Sequence, residues 1–429
     1  MSALPEHPGP AAGTRGRGER AMTKDAVLRR AVDAHDKPAA FGPDLDLAIF
    51  HVEQRTRDKA ERAAREHQVR EAALGVGVDL AAGQRAGTFL QVDQSVIAHR
   101  VGAGFGGRVE VLPTLEALDT PWVAQRLWSI VAPDADKYTA AAALQPTGGY
   151  CLRVLPGERI EEPVQACLLI AETALSQNIH NVVVVEEGAA VHVITGCTVN
   201  RATGGLHIGV SEFFVGKNAS LTFTMIHRWA PGVHTRPRST VIVEEGGTYV
   251  SNYLLLGEVA SLQMYPLTLL RGRGARARFQ AVLCGRGDSM IDIGSRVVHE
   301  GEGSASETIS RAIGAERSRI WARGQLVART NHCRARLECR GMLVSTTASI
   351  VAIPELEADG VPQAELSHEA AISPIAEEEV AYLMARGLAR DEALAAITRG
   401  FLNVDQLGLP PAIARSVDEV LAATPAGTL

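Results

Sequence analysis

The chain has 429 residues, 46% hydrophobic and 4% aromatic, with 41 Gly, 20 Pro and a formal charge of -6. Nine Phe, four Trp and six Tyr are few for a protein that reads carbohydrate or single-stranded nucleic acid, and 43 basic against 49 acidic residues set up no cationic field for nucleic acid. No apolar run reaches the roughly 18 residues a membrane helix needs, no signal-type segment follows Arg15, Arg17 and Arg20, and the six cysteines form no Cys-x-x-Cys, so a cytoplasmic protein without a disulfide scaffold or zinc knuckle is expected.

Residues 1–24, rich in Pro, Gly and Arg, read as a disordered tail. Residues 25–148 read as an N-terminal helical and mixed region. A short helical pattern covers Asp25 to Ala34, a turn is expected at Ala40 to Asp44, and the Arg, Glu, Lys and Ala mixture from Val52 to Leu74 predicts a solvated helix. Gly102-Ala103-Gly104-Phe105-Gly106-Gly107 matches G-x-G-x-x-G. A dinucleotide site needs a helix to open there, whereas Arg108 to Pro113 reads as a strand ending in proline, so nucleotide binding is rejected.

From about Tyr150 short apolar runs alternate with glycine turns, and Gly188, Gly216, Gly246, Gly274 and Gly303 recur at steps of 28 to 30 residues. A second series, Gly257, Gly287 and Gly314, lies half a period away. Strand-rich repeats of this length imply stacked rungs, so residues 149–370 are predicted to form a mainly β core, a right-handed parallel β-helix. A narrow solenoid interior also suits small and β-branched side chains better than rings. In residues 371–429 a small helical domain is expected. Ser373-Pro374 would open its first helix, with Glu377, Glu378 and Glu379 in the first turn and Gly387 as the stop; a second helix spans Arg390 to Arg399 with Gly400 as its stop, and a third starts near Pro411.

The stretch Ala364-Glu365-Leu366-Ser367-His368-Glu369-Ala370-Ala371-Ile372-Ser373-Pro374-Ile375, followed by Tyr382-Leu383, Arg386-Gly387-Leu388 and Gly400-Phe401, resembles the C-terminal signature of the SufB/SufD family of iron-sulfur cluster assembly scaffolds. Further matches are Pro156-Gly157, Pro163-Val164-Gln165, Glu187-Gly188-Ala189, Gly196-Cys197-Thr198, Leu206-His207 with Glu212, and Tyr265-Pro266 with Leu270-Arg271-Gly272. The resemblance implies a β-helix flanked by helical segments, a SufC-type ABC ATPase docked on the C-terminal helices, a second SufB- or SufD-type protomer, a sulfur donor and apo-protein acceptors. It implies a transient iron-sulfur cluster, admits a reduced flavin, and places ATP hydrolysis on the partner, so this chain is not expected to be an enzyme. Glu338-Cys339-Arg340-Gly341 stands where the SufB branch has its cysteine, while the Tyr265 to Leu270 stretch lacks a second one.

His368 follows Cys339 by 29 residues, one repeat, which predicts thiol and imidazole on adjacent rungs at similar azimuth. Cys339, His368 and Glu369 are therefore the candidate cluster and metal ligands. A thiolate helped by nitrogen and oxygen donors suits a site that must also release its cargo. The residues alone also allow an inert reading, because Cys333, Ala335, Leu337 and Cys339 share one strand parity and His368 is in phase with Leu366. Cys197, Cys284 and Cys333 read as core, His207 and Glu212 as structural, and Arg329, Arg334, Arg336 and Arg340 as a solvated face. Two alternatives stand beside the scaffold: a SufD-like structural subunit without its own sulfur ligand, and a polysaccharide-acting β-helix enzyme.

Overall fold

In the computed structural model, which describes residues 22–53, 59–80, 85–200 and 204–402, strand Thr248–Leu255 pairs in parallel with Ser220–Arg228 on one side and Arg276–Gly285 on the other. Both steps are 28 residues, Ser220 to Thr248 and Thr248 to Arg276. The next two, Arg276 to Ala305 and Ala305 to Arg334, are 29. About eight such turns make a β-solenoid. Its strands belong alternately to a ten-stranded and a twelve-stranded sheet, and one hydrophobic core fills the space between them.

The turn glycines serve two purposes. Gly188, Gly246, Gly274 and Gly303 adopt positive φ. In the rung between the first two, Asn218 takes that conformation in place of Gly216, as Asn tolerates the left-handed region. Gly272 instead permits close approach of rungs, since a Cβ there would lie 1.9 Å from the Glu245 nitrogen.

Sequence texture follows how many faces of a strand are covered. Leu175–Val185 is buried along its whole length, because the segment carrying Trp122 and Val123 packs on the outer face of Val182 and Val184. A strand covered on both sides reads as a continuous apolar run. Arg276–Gly285 alternates over its first half, where the outer face meets water. The interior also takes more rings than the composition suggested: Phe223, Phe213, Tyr249 and Phe279 form a ladder with centroid separations of 4.7, 5.9 and 5.8 Å.

The N-terminal region closes the first rungs. Gly87–Val92 adds to the ten-stranded sheet beside Val164–Ile170, and Val109–Pro113 pairs with Tyr150–Val154 in the other. The glycine-rich turn between Ser95–Val101 and Val109–Pro113 opens no helix. Helices Lys24–Asp33 and Lys137–Leu144 pack on Leu206, Ile208 and Val210. Glu212, fully buried, anchors this layer by accepting from the backbone of Trp128, Ile130 and Val131 at 2.6, 2.7 and 3.0 Å and pairing with His180 Nε2 at 2.8 Å. Arg236, also fully buried, donates to the carbonyl oxygens of Pro43 and Ser261.

Helix Lys59–Leu74 and its following turn cover one end of the ten-stranded sheet through Val69, Ala73 and Val76, and helices Glu377–Ala385 and Arg390–Leu402 cover the other around Met342 and Val344. The strand Glu365–Pro374 takes in Ser373 and Pro374, so the first C-terminal helix starts later than its capping pattern suggests, with Ala376 at the N-cap. Glu377, Glu378 and Glu379 do occupy its first turn. Gly400 does not stop the second helix, which runs on to Leu402 and buries that side chain. The expected third helix and most of the expected N-terminal tail lie outside the described residues. Among the described residues no helix is long and apolar enough to cross a membrane.

Candidate functional site

The strand Arg334–Leu343 lies between Ala305–Gly314 and Glu365–Pro374, and the last of these ends the ten-stranded sheet. The step from Arg334 to Glu365 is 31 residues, two more than the step before it. The extra length sits in the turn containing Gly360, Val361 and Pro362. Cys339 therefore stands opposite Ala370, and His368 stands opposite Leu337. A shift of two residues preserves the side-chain face, so thiol and imidazole share the inward face one diagonal apart rather than side by side.

Cys339 is 2% exposed and belongs to the solenoid core. Burial pushes its thiol up, and the Glu338 carboxylate acts in the same direction. His368 is exposed, because no further rung covers its strand among the described residues. Glu369 pairs with Glu338 and so projects from the opposite, outer face. There Arg336 bridges Glu338 and Glu369 at 2.8 and 3.2 Å, and Arg340 reaches the same two carboxylates at 2.7 and 3.5 Å. The structure thus groups Cys339 with His368, and groups Glu369 with two guanidinium groups. Cys333 sits in the preceding turn with its thiol donating to the Thr330 carbonyl at 3.3 Å, turned to its own loop.

A second constellation lies deep inside the solenoid. Cys197 and His227 are direct register partners on neighbouring rungs, 30 residues apart, and His207 faces them from the other sheet. One donor atom from each lies within 4.8 Å of the other two. All three are buried; burial holds the His207 imidazole down to about 3 and the His227 imidazole well below its ordinary range, and raises the Cys197 thiol. Reading Cys197 as core and His207 as structural overlooked this cluster. The signal was available as a Cys-to-His step of one repeat, the same relation sought between Cys339 and His368.

The residues 168–401, which include both constellations, match the family model described as SUF system FeS cluster assembly, SufBD core domain. An iron-sulfur cluster assembly SufBD family protein of Methanothermobacter thermautotrophicus (strain Winter) is 43% identical over 408 residues, covering 93% of this chain and 98% of the relative. The chain belongs to the SufBD family of iron-sulfur cluster assembly proteins. An Archaeoglobus fulgidus SufBD family protein is 43% identical over 343 residues, 80% of this chain and 91% of that one. Bacillus subtilis SufB is 29% identical over 290 residues, 66% of this chain and 61% of that protein. SufBD membership displaces the polysaccharide-acting alternative, and it accounts for the solenoid and for the ordered motifs from Cys197 to Phe401.

Proposed function

We propose that this chain is a SufB-like scaffold of the SUF system, which receives persulfide sulfur and iron, assembles a cluster at Cys339 with His368 and Glu369 at an interface with a second SufB- or SufD-type protomer, and passes it to apo-proteins. The observation that carries this reading is the common inward face of Cys339 and His368 at the open end of the solenoid. The two last strands, Ser349–Ala358 and Glu365–Pro374, each pair on one side only among the described residues and expose Val351, Leu356 and Ile372. Long exposed edges of this kind favour pairing with another chain. A second protomer there would supply further donors, and displacement of the last strand would uncover Cys339. In this proposal a SufC-type ATPase drives that opening from the C-terminal helices, the chain itself catalyses no reaction, and its six free thiols suit a reducing cytoplasm.

Anaerobic reconstitution with Fe²⁺ and sulfide, read by absorption and Mössbauer spectra, tests the assignment. Cys339→Ala is expected to lose the cluster. A cluster unchanged in that variant favours the second reading, a SufD-like subunit that contributes His368 and no sulfur ligand; the burial of Cys339 is the observation on its side.

A further inference from the structure

The interior cluster of Cys197, His207 and His227 plays no part in assembly at Cys339, and its polar accounting is incomplete. The Nδ1 atom of His207 faces the Gln177 carbonyl oxygen at 3.0 Å, and the Gln177 amide nitrogen donates to the Asp93 carbonyl at 2.9 Å, which fixes the orientation of that amide. His207 Nδ1 therefore carries the hydrogen, and Nε2 carries the lone pair. His227 Nδ1 is engaged by the Tyr253 hydroxyl at 2.8 Å, whereas its Nε2 is buried with no hydrogen-bond partner. An unpaired buried ring nitrogen carries a desolvation cost of about 1–3 kcal/mol, and an apolar side chain would remove that cost. Here it points into a group that also holds a thiol and a second imidazole.

Donors from three strands and both sheets thus converge, each imidazole oriented by a hydrogen bond through its far nitrogen, as metal-bound histidines are. Burial keeps both rings neutral, the form that ligates. We propose that Cys197, His207 and His227 form a binding site for a borderline-soft divalent first-row cation, of the Zn²⁺ or Fe²⁺ type, inside the solenoid. One thiolate with two imidazoles is a donor set these ions accept in tetrahedral geometry, leaving one position open. Met225 Sδ, 3.7 Å from Cys197 Sγ, borders that position. Binding replaces the thiol proton, which leaves to solvent, by the metal-sulfur bond, with no change of oxidation state. The bound ion would tie the two sheets together across the core. Because the donors are buried, loading requires local opening and is slow compared with binding at a surface site.

Co²⁺ is a suitable probe, because its thiolate charge-transfer and ligand-field bands report the donors directly. Metal-free full-length protein, incubated anaerobically with Co²⁺, is expected to take up one equivalent with both sets of bands; Zn²⁺ and Fe²⁺ in separate competition experiments rank the two ions. Cys197→Ser should abolish the charge-transfer band, His227→Gln should weaken binding at least tenfold, and Cys339→Ala should leave bands and affinity unchanged. Circular dichroism checks that each variant is folded; if Cys197→Ser is not, His227→Gln decides. Absence of the bands in the wild type, their survival in folded Cys197→Ser, unchanged affinity in folded His227→Gln, or their loss in Cys339→Ala would each overturn the site. Cluster assembly at Cys339 is read separately by reconstitution.

Discussion

His368 stands opposite Leu337 on the adjoining rung, with Cys339 two residues further along the same face. The imidazole is in solvent and the thiol is not. A ligand that must meet both has to enter from the open end and move the strand Glu365–Pro374, which is the only cover on that side of Cys339 among the described residues.

Thiol reactivity reports that movement. All six cysteines are buried, and burial pushes Cys151 and Cys167 up to about 12 and Cys284 to about 11, so few thiolates are present at neutral pH. In native protein a disulfide reagent should label fewer than one thiol over minutes, and all six in denaturant. Truncation before Glu365 should make Cys339 the first site labelled, as located by peptide mass mapping. Rapid labelling of Cys339 in the intact native chain would contradict its enclosure.

The two carboxylates of the outer face should differ in weight. Glu369 is half exposed, so Glu369→Gln is expected to cost less than about 1 kcal/mol. Glu338 is 5% exposed and holds both Arg336 and Arg340, so Glu338→Ala should cost more, about 1–2 kcal/mol after allowing for the half-exposed guanidinium groups. Urea unfolding of the two variants measures the order. Equal costs would mean that the network contributes through Glu369 as much as through Glu338.

The period was legible because turn chemistry repeats: Gly246, Gly274 and Gly303 mark it directly. Register was not, because it depends on turn length. The two additional residues between Ala358 and Glu365 carry no pattern of their own, yet they displace His368 from Cys339 by two positions. Glu212 was read correctly as structural from its strand, although the backbone donors it serves lie more than 80 residues upstream, beyond any periodicity. The missed cluster at Cys197 has a different cause. His227 lies one rung from Cys197, but His207 comes from the opposing sheet, and no constant spacing relates residues across a solenoid interior.

Removal of the Glu212 carboxylate should uncouple the N-terminal layer. Glu212→Ala leaves three backbone donors without an acceptor and His180 without its partner, at a cost of about 3–5 kcal/mol. Limited proteolysis is expected to cut first between Trp128 and Asp134, where those donors lie. Unchanged protection there would show that the packing of Trp128 on His180, with ring centroids 4.4 Å apart, holds the segment without the hydrogen bonds.

Buried histidines should make stability fall on acidification. His299 sits between the Ser304 and Ser306 hydroxyls at 2.9 and 2.8 Å, and burial lowers it to about 4; burial and the nearby Arg236 lower His234 likewise to about 4. Between about pH 6.5 and 4 the unfolded chain binds protons that the folded chain does not, so the free energy of unfolding rises with pH in this window and is lost as pH falls through it. His299→Gln keeps hydrogen-bonding capacity without the titration and should flatten the dependence between pH 7 and pH 5 by roughly 1–2 kcal/mol. Urea midpoints at the two pH values give the slope; an identical slope in the variant would remove His299 from the account.

The C-terminal helices offer a test of partner docking that spares the fold. Deleting them would expose Met342 and Val344, so loss of binding in a truncation could reflect damage to the sheet. Tyr382 avoids this problem. It is 58% exposed, lines a shallow groove with Glu378, Glu379, Leu383 and Ile397, and lies under the Arg386 guanidinium at 5.1 Å. An exposed aromatic on an apolar groove with an acidic rim is the kind of residue that dominates an interface. If a SufC-type ATPase docks here, Tyr382→Ala should weaken the complex by about tenfold or more, equivalent to about 1.4 kcal/mol, with the unfolding midpoint nearly unchanged. Glu378→Lys should act mainly on the salt dependence of association, since a rim charge steers encounter more than it holds the complex. Calorimetric titration of the ATPase into both variants separates the effects, and wild-type affinity in Tyr382→Ala would move the docking surface off these helices.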